Sequence, residues 1–352
     1  NINQTQLQTV AAKAALEAAN VQPEQVDTTV IGHVLSNSST DGIYVPRHVA
    51  LHCGVPIEKP ALGVNRLCGS GFQSVVNGAQ DIVMGTAKVA LTGGVDNMSQ
   101  APYVARNLRF GTVLGTNPVM EDSLWAGLTD SYAKIPMALT AENLAEKFKI
   151  ARETVDQFAL KSQQNWKKGL DAGAFQAEIT PLKIKVKGKE VDFVVDEHAR
   201  PQTTLEGLAK LPSLFKKNGT VTAGTASGIC DGAAAVVLAS EAALKEYNLT
   251  PLARLVGYSY VGVQPEIMGI GPVPAIKNVL NATGLKLQDI DLVEINEAFG
   301  VQTLACAEAL NLDMSKLNCN GVHELRRKNL KYAIGSACIG GGQGIAVLLE
   351  RV

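Results

Sequence analysis

No charge of either sign predominates in this chain of 352 residues: 32 Lys+Arg stand against 33 Asp+Glu, a net charge of −1, and only 18% of the residues are charged. Without a positive excess there is no overall electrostatic footprint for a nucleic acid. Apolar runs stay shorter than the roughly 18 residues that a membrane-spanning helix requires. Cysteine is sparse and scattered. Cys53, Cys68, Cys230, Cys306, Cys319 and Cys338 include no CxxC pair and no Cys/His group at zinc spacing, which points to free thiols in a reducing compartment and to no metal. Residues 1–9 are polar and neutral, unlike a secretory signal or an Arg-rich transit peptide, and the final Arg351 and Val352 are not a peroxisomal address. With 46% apolar residues and a mass of 37.1 kDa, the chain is expected to be globular and too long for one core.

Helical periodicity runs through residues 6–20, where Leu7, Val10, Ala11, Ala14 and Leu16 share a stripe, and through 142–148 and 152–169. Short β-branched runs predict strands at 29–32, 89–92, 234–239, 253–261, 292–295, 332–334 and 345–349. Strands alternating with helices define an α/β class with parallel pairs. An internal repeat organises these elements. In each copy a helix leads to an Asp (Asp27, Asp291) and a strand, and later to a second strand followed by glycines: Gly93 and Gly94 in the first copy, Gly340, Gly341 and Gly342 in the second. Both glycine groups read as turns.

The copies are unequal. The interval from Asp291 to Ala333 is 21 positions shorter than the matching interval from Asp27 to Ala90. Residues 322–333 match 79–90 in length and pattern, which places the shortfall at the Gly321/Val322 junction. The first copy in turn lacks the strand that opens the second at 253–261. Residues 100–226 depart from the repeat and read as an inserted loop subdomain. The expected units are therefore 1–99 with 227–249 as an N-terminal half, 100–226 as the insert, and 250–352 as a C-terminal half. Within the insert, Lys183, Lys185 and Lys187 alternate with Leu182, Ile184 and Val186. A strand there would present its lysines on one face, either simply solvated or helping to hold an anion.

Three segments carry possible chemistry. Cys68 stands in Asn65, Arg66, Leu67, Cys68, Gly69, Ser70, Gly71, Phe72, just ahead of an apolar helical run. A thiol at a helix N-terminus is expected to have a lowered pKa and so to favour the nucleophilic thiolate, with Gly69 and Gly71 leaving room for a substrate; a buried structural cysteine is the plain alternative. Cys338 precedes Gly340, Gly341, Gly342, Gln343 and Gly344. A dinucleotide loop needs a helix after its glycines, but a strand follows here, so the glycines join two strands and bring bare backbone N–H groups near a thiol, as an oxyanion hole requires. A plain hairpin would look the same. Asn296 and Glu297 end the strand 292–295, where ligands sit in open α/β sheets, although an Asn there also serves as a helix cap.

Together these segments resemble the thiolase family over nearly the whole chain, with further similarity at residues 196–201 and 222–228. Among thiolases the chain is most similar to the mitochondrial type of 3-ketoacyl-CoA thiolase, through residues 99–102 and 121–125. Pro136, before Met137, favours that type over acetoacetyl-CoA thiolases, which often have a His there. The resemblance implies paired βαβαβαββ halves in five α-β-α-β-α layers with the loop subdomain inserted. It implies Cys68 as nucleophile, Cys338 as acid/base, Asn296 holding a water in one oxyanion hole, and the N–H groups of Cys68 and Gly340 forming the other. Ser227 and Ala223 would touch the pantetheine arm of coenzyme A, with Met137 and Phe299 also lining the substrate site. Acyl-CoA and CoA are the implied partners, CoA acting as substrate with no separate cofactor, in a homodimer or homotetramer of the mitochondrial matrix or, second, the cytoplasm.

The chain departs from the family pattern at Thr225, where Asn is usual, at Gly300, where Ala is usual, and above all at the short junction. After Asn318, Cys319, Asn320 and Gly321 the family continues into a Gly-His-Pro segment whose His activates the nucleophile, whereas this chain passes to Val322 and His323. None of His33, His48, His52, His198 or His323 matches that position. Either residues belonging at the junction stand outside this sequence or the polypeptide is itself shorter; the loss of elements that the repeat demands favours the first. A shortened chain would suit a non-catalytic binder of CoA or lipid. The related ketoacyl synthases pair their Cys with two histidines or His and Asn, and Cys338 speaks against them.

Overall fold

The computed structural model describes residues 2–319 and 321–352, the side chains of 321 and 322 excepted. Helix α1 (Gln4–Ala18) starts at a capping box, in which the Asn3 carboxamide accepts from Gln6 N and the Gln6 side chain accepts from Asn3 N. Its buried residues are Gln4, Thr5, Gln8, Ala12 and Leu16, so the inward face is rotated from the predicted stripe, of which only Leu16 is fully buried. Gln4 and Gln8 turn inward with their amide nitrogens donating to the carbonyls of Leu35 (2.9 Å) and Ala234 (3.0 Å), which offsets part of the cost of burying them, their Oε1 atoms having no partner among the described residues.

Strand β1 (Thr28–Gly32), helix α2 (Val45–His52), strand β2 (Ala61–Val64), helix α3 (Ser70–Val83) and strand β3 (Val89–Asn97) follow. Beyond them come helices α4 (Met137–Phe148) and α5 (Arg152–Asp171) and a hairpin of β4 (Leu182–Val186) with β5 (Lys189–Phe193). The chain then adds β6 (Asp231–Ala239), β7 (Ala253–Gly262), α6 (Pro272–Thr283), β8 (Leu292–Ile295), α7 (Gly300–Leu310), α8 (Gly321–Arg327), β9 (Tyr332–Ile339) and β10 (Gln343–Arg351).

One sheet has the order β6-β3-β1-β2, the other β7-β10-β9-β8. In the first, β1 lies parallel to β2 and β3, and β6 lies antiparallel to β3; in the second, β8 is parallel to β9, and β10 is antiparallel to β9 and β7. The repeat thus maps β1, β3 and β6 onto β8, β9 and β10. What remains unmatched lies at opposite edges: among the described residues β2 has no counterpart beyond a single bridge of Leu317 to Val293, and β7 has none. Helix α8 has 7 residues against 14 in α3.

The layers follow from the packing. Helix α3 contacts strands of both sheets and joins Val76 to Ala337, Ile339, Ile345 and Val347. Helices α1 and α2 cover the outer face of the first sheet, and α6 and α7 that of the second. Five α-β-α-β-α layers result. Gly93 and Gly94 do not form the predicted turn; they lie inside β3, paired with Ile31 and Gly32, and a side chain at Gly93 would strike Ala234 O and Gln8 Nε2. Their small size serves close strand and helix approach. On the β4-β5 hairpin Lys183 and Lys185 face Asp192 and Glu190, with Lys183 Nζ 2.8 Å from Asp192. These lysines form a solvated face already balanced by acids, and Lys187 lies in the turn.

Candidate active site

Residues 65–70 form a tight turn between β2 and α3. Leu67 is held at φ 45°, a conformation uncommon without glycine. Three side-chain hydrogen bonds impose it: Leu67 N donates to Asn65 Oδ1 (2.9 Å), Arg66 N donates to Ser70 Oγ (2.9 Å), and Ser70 Oγ donates to Leu67 O (2.7 Å). Neither Leu67 nor Ser70 stood out in the sequence, since strain is visible only in backbone angles. Cys68 sits at the crest. It is accessible to solvent yet surrounded by protein mass, and burial pushes its thiol up, opposed by the N–H groups of Gly340 and of Cys68 itself. The expected lowering is therefore reversed. Gly69 N and Ser70 N are occupied by Arg66 O and Leu67 O at 2.9 Å each, so these two amides are not free to donate to the sulfur.

From the other half, β9 brings Cys338 to the same place. Cys338 is fully buried, and its thiol is raised well above the ordinary range, by burial first and then by the neighbouring sulfurs of Cys68 and Cys306. The two segments also interlock. A side-chain carbon at Gly69 would lie 2.6 Å from Ile339 Cδ1, and one at Gly340 would lie 3.3 Å from Leu67 Cδ1 and 3.4 Å from Met137 Sδ. Gly341 (φ 74°) and Gly342 (φ 83°) make the turn from β9 into β10 as anticipated. Cys306, on α7, is a further thiol that acts on Cys338, buried like it, which sequence reading did not single out.

Asn296 follows β8 and donates from its backbone N to Ser336 O at 2.9 Å. Its side chain is exposed and bonds no other described residue, and it caps no helix, because α7 begins only at Gly300 with Phe299 as its N-cap. The loop carrying Ala223 and Ser227, both exposed, is pinned alongside: Ser227 N donates to Ala298 O (3.0 Å), Gly300 N donates to Thr225 O (2.8 Å), and Ala226 bridges Phe299. Thr225 closes this loop internally, its hydroxyl accepting from Thr222 N (2.9 Å) and donating to Thr220 O (2.9 Å). Glu142, 2% exposed, anchors it by accepting from Thr220 N (2.9 Å) and Val221 N (2.8 Å). The sequence signal for Glu142 was an acid on the inward face of α4, among Ala138, Ala141 and Ala145.

The eight expected site residues thus occur as Cys68, Cys338, Gly340 and Met137 around one point, Ser227 and Phe299 on paired segments with Ala223 in the same loop, and Asn296 beside the strand that carries Cys338. No histidine is among the groups acting on the Cys68 thiol. His33 instead neighbours Asp96, and His198 packs on Gly228. At the open edge of β8, Ser162, Trp166, Phe175, Glu297 and Asn318 line a cleft of about 220 Å³.

A duplicated five-layer α/β fold that presents one cysteine from each half at a common site defines the class, and the chain belongs to the thiolase family. Residues 1–242 match the thiolase N-terminal domain and residues 249–323 the thiolase C-terminal domain, the second match ending beside the short junction. The chain is 57% identical to the mitochondrial 3-ketoacyl-CoA thiolase of Homo sapiens over 366 residues, covering 98% of this chain and 92% of that protein. The comparison is longer than the 352 residues present here, so the relative carries residues without a counterpart in this chain. A beta-ketothiolase of Cupriavidus necator is 42% identical, with 99% and 93% covered. The crystal structure of the human mitochondrial 3-ketoacyl-CoA thiolase superposes with a TM-score of 0.98 at 56% identity, over 100% of this chain and 94% of that one. The same enzyme in complex with CoA gives a TM-score of 0.97.

Proposed function

We propose that the protein is an acyltransferase that cleaves 3-ketoacyl-CoA with CoA, yielding acetyl-CoA and a shortened acyl-CoA, within fatty acid β-oxidation. One observation carries the reading: the turns that hold Cys68 and Gly340 pack against each other, close enough for the Gly340 N–H to act on the Cys68 sulfur and for the Cys68 sulfur to act on the Cys338 thiol, both from the opposite half. The Cys68 thiolate attacks the 3-keto carbon, and the resulting oxyanion is held by the N–H groups of Cys68 and Gly340. The C–C bond breaks and acetyl-CoA departs as an enolate that takes a proton from Cys338, whose raised pKa keeps that proton available. The thiol of CoA then returns a proton to the Cys338 thiolate and attacks the Cys68 thioester, taking the acyl group and releasing Cys68 as thiolate. Ser227, Ala223, Met137 and Phe299 form the channel for acyl-CoA, and the free carboxamide of Asn296 holds a water. CoA is a substrate, and the scheme uses no other cofactor. The names of the similar mitochondrial thiolases support the mitochondrion as the location.

Among the described residues no dedicated group deprotonates Cys68. General-base assistance is worth about 10²–10⁴-fold, so turnover at neutral pH should fall short of a thiolase with its His by about that factor. The raised Cys68 thiol sets the sign: acylation should accelerate continuously from pH 7 upward through the ordinary thiol range near about 8.5, with no plateau at neutral pH. The test is incubation with acetoacetyl-CoA and with longer 3-ketoacyl-CoA across this range, reading the acyl adduct on Cys68 by mass spectrometry and acetyl-CoA release by chromatography. Cys68→Ala should remove both. The missing His favours a second reading, an acyl-CoA binder without turnover. Saturable binding with no adduct at any pH would establish it against the first.

A further inference from the structure

We propose that Arg66 is a positioning residue that locks the nucleophile turn of the first half to the 340–342 turn of the second. This inference deepens the proposed reaction and rests on Cys68 and Gly340 acting together. The Arg66 guanidinium spans the two halves. Its Nε donates to Gln73 Oε1 on α3 (2.6 Å), its Nη1 donates to Gln343 Oε1 at the exit of the 340–342 turn (2.8 Å), and its Cζ lies 4.5 Å from the centre of the Tyr260 ring on β7. The Arg66 backbone belongs to the turn that holds Cys68, through the bond from Arg66 N to Ser70 Oγ (2.9 Å). Gln343 pairs with Ile339 across the hairpin and with Gly262 on β7, so it is fixed in the second sheet before Arg66 reaches it.

The planar guanidinium presents two donors at a fixed angle to two carboxamide oxygens and a face to an aromatic ring. A lysine has neither the fork nor the plane. An oxyanion donor works only within a few tenths of an ångström of its place, and the Cys68 sulfur and Gly340 N–H belong to different sheets. A bond tying their two turns directly therefore fixes, together with the contact of Gly69 and Ile339, their separation. The action is geometric. The titratable groups facing Cys68 are Asp96 from β3 and Cys338 from β9, and the Arg66 charge is not among the groups that act on the thiol.

The test reads the free protein and needs no turnover: the rate of iodoacetamide alkylation of Cys68, followed by peptide mass spectrometry, against pH. In Arg66→Ala the Gly340 N–H drifts from the sulfur, so the alkylation midpoint should rise by about one pH unit and the rate at pH 8 fall about tenfold. Gln343→Ala should give the same shift, and the double variant little more. Arg66→Lys, which keeps the charge but loses the fork, should resemble Arg66→Ala. A midpoint unmoved in Arg66→Ala or in Gln343→Ala overturns the proposal, as does full rescue by Arg66→Lys, which would make the role one of charge. Gln343→Ala keeps the test decisive should Arg66→Ala fail to fold. Absence of an acyl adduct in the wild type would sink the proposed reaction while leaving the alkylation result to decide on Arg66.

Discussion

The proposed reaction gives Cys68 and Cys338 opposite tasks, and their surroundings differ accordingly. Cys68 is accessible and has a backbone donor to stabilise negative charge, whereas Cys338 is wholly enclosed and adjoins two other sulfurs. The first suits a nucleophile and the second a proton donor that stays protonated at neutral pH. Replacing Cys338 by Ala should slow acylation of Cys68 by 3-ketoacyl-CoA, whose departing enolate loses its proton donor, and cut exchange of the acetyl-CoA α-protons with deuterated water by about 10²–10⁴-fold; exchange at the wild-type rate, read by proton NMR, would strip Cys338 of that role. The motifs around both cysteines were legible in the sequence because each is a short run of unusual residues. The upward shift of Cys68 was not, because it comes from burial under segments that are distant in the chain, among them the 340–342 turn.

At the scale of elements, glycines divide by purpose. Gly341 and Gly342 turn the chain with positive φ, Gly93 and Gly94 lie within a strand, and Gly69 abuts Ile339 across the interface of the halves. Gly69→Ala would drive a methyl into Ile339 Cδ1, which lies 2.6 Å from the required position. Overpacking of this kind costs about 1–3 kcal/mol, and because it wedges the Cys68 turn from the 340–342 turn, acylation should fall together with the urea midpoint. Unchanged denaturation would mean that the interface yields freely. Strand starts were mostly legible, from 28 or 29 in β1 to 332 in β9, because β-branched runs are local. The extents of β3 and β9 were not, since the glycine and small residues that continue them lie in strand only because neighbouring strands pair with them. Helix α2 and strand β2 carried too little periodicity to be recognised, and the Gln4/Gln8 face of α1 depends on carbonyls that arrive from residues 35 and 234.

For the molecule as a whole, the two sheets are open at opposite edges, and the segment following β3 bears Phe110 and Leu114 at 99% and 102% exposure. We propose that assembly as a homodimer or homotetramer covers these side chains. Light scattering should give two or four times the 37.1 kDa chain mass, and a monomer at micromolar concentration would refute it. The sequence by itself determined the α/β class, the internal repeat with its shortened second copy, and the cysteine-bearing motifs, because each is written in local residue patterns or in the spacing between them. Only the tertiary structure decided that the two motifs interlock through Gly69, Ile339, Arg66 and Gln343, that Glu142 holds the 220–228 loop, and that no histidine reaches Cys68. Those relations join residues as far as 277 positions apart in the chain, and they arise from the packing of one sheet against the other across α3, which no local pattern encodes.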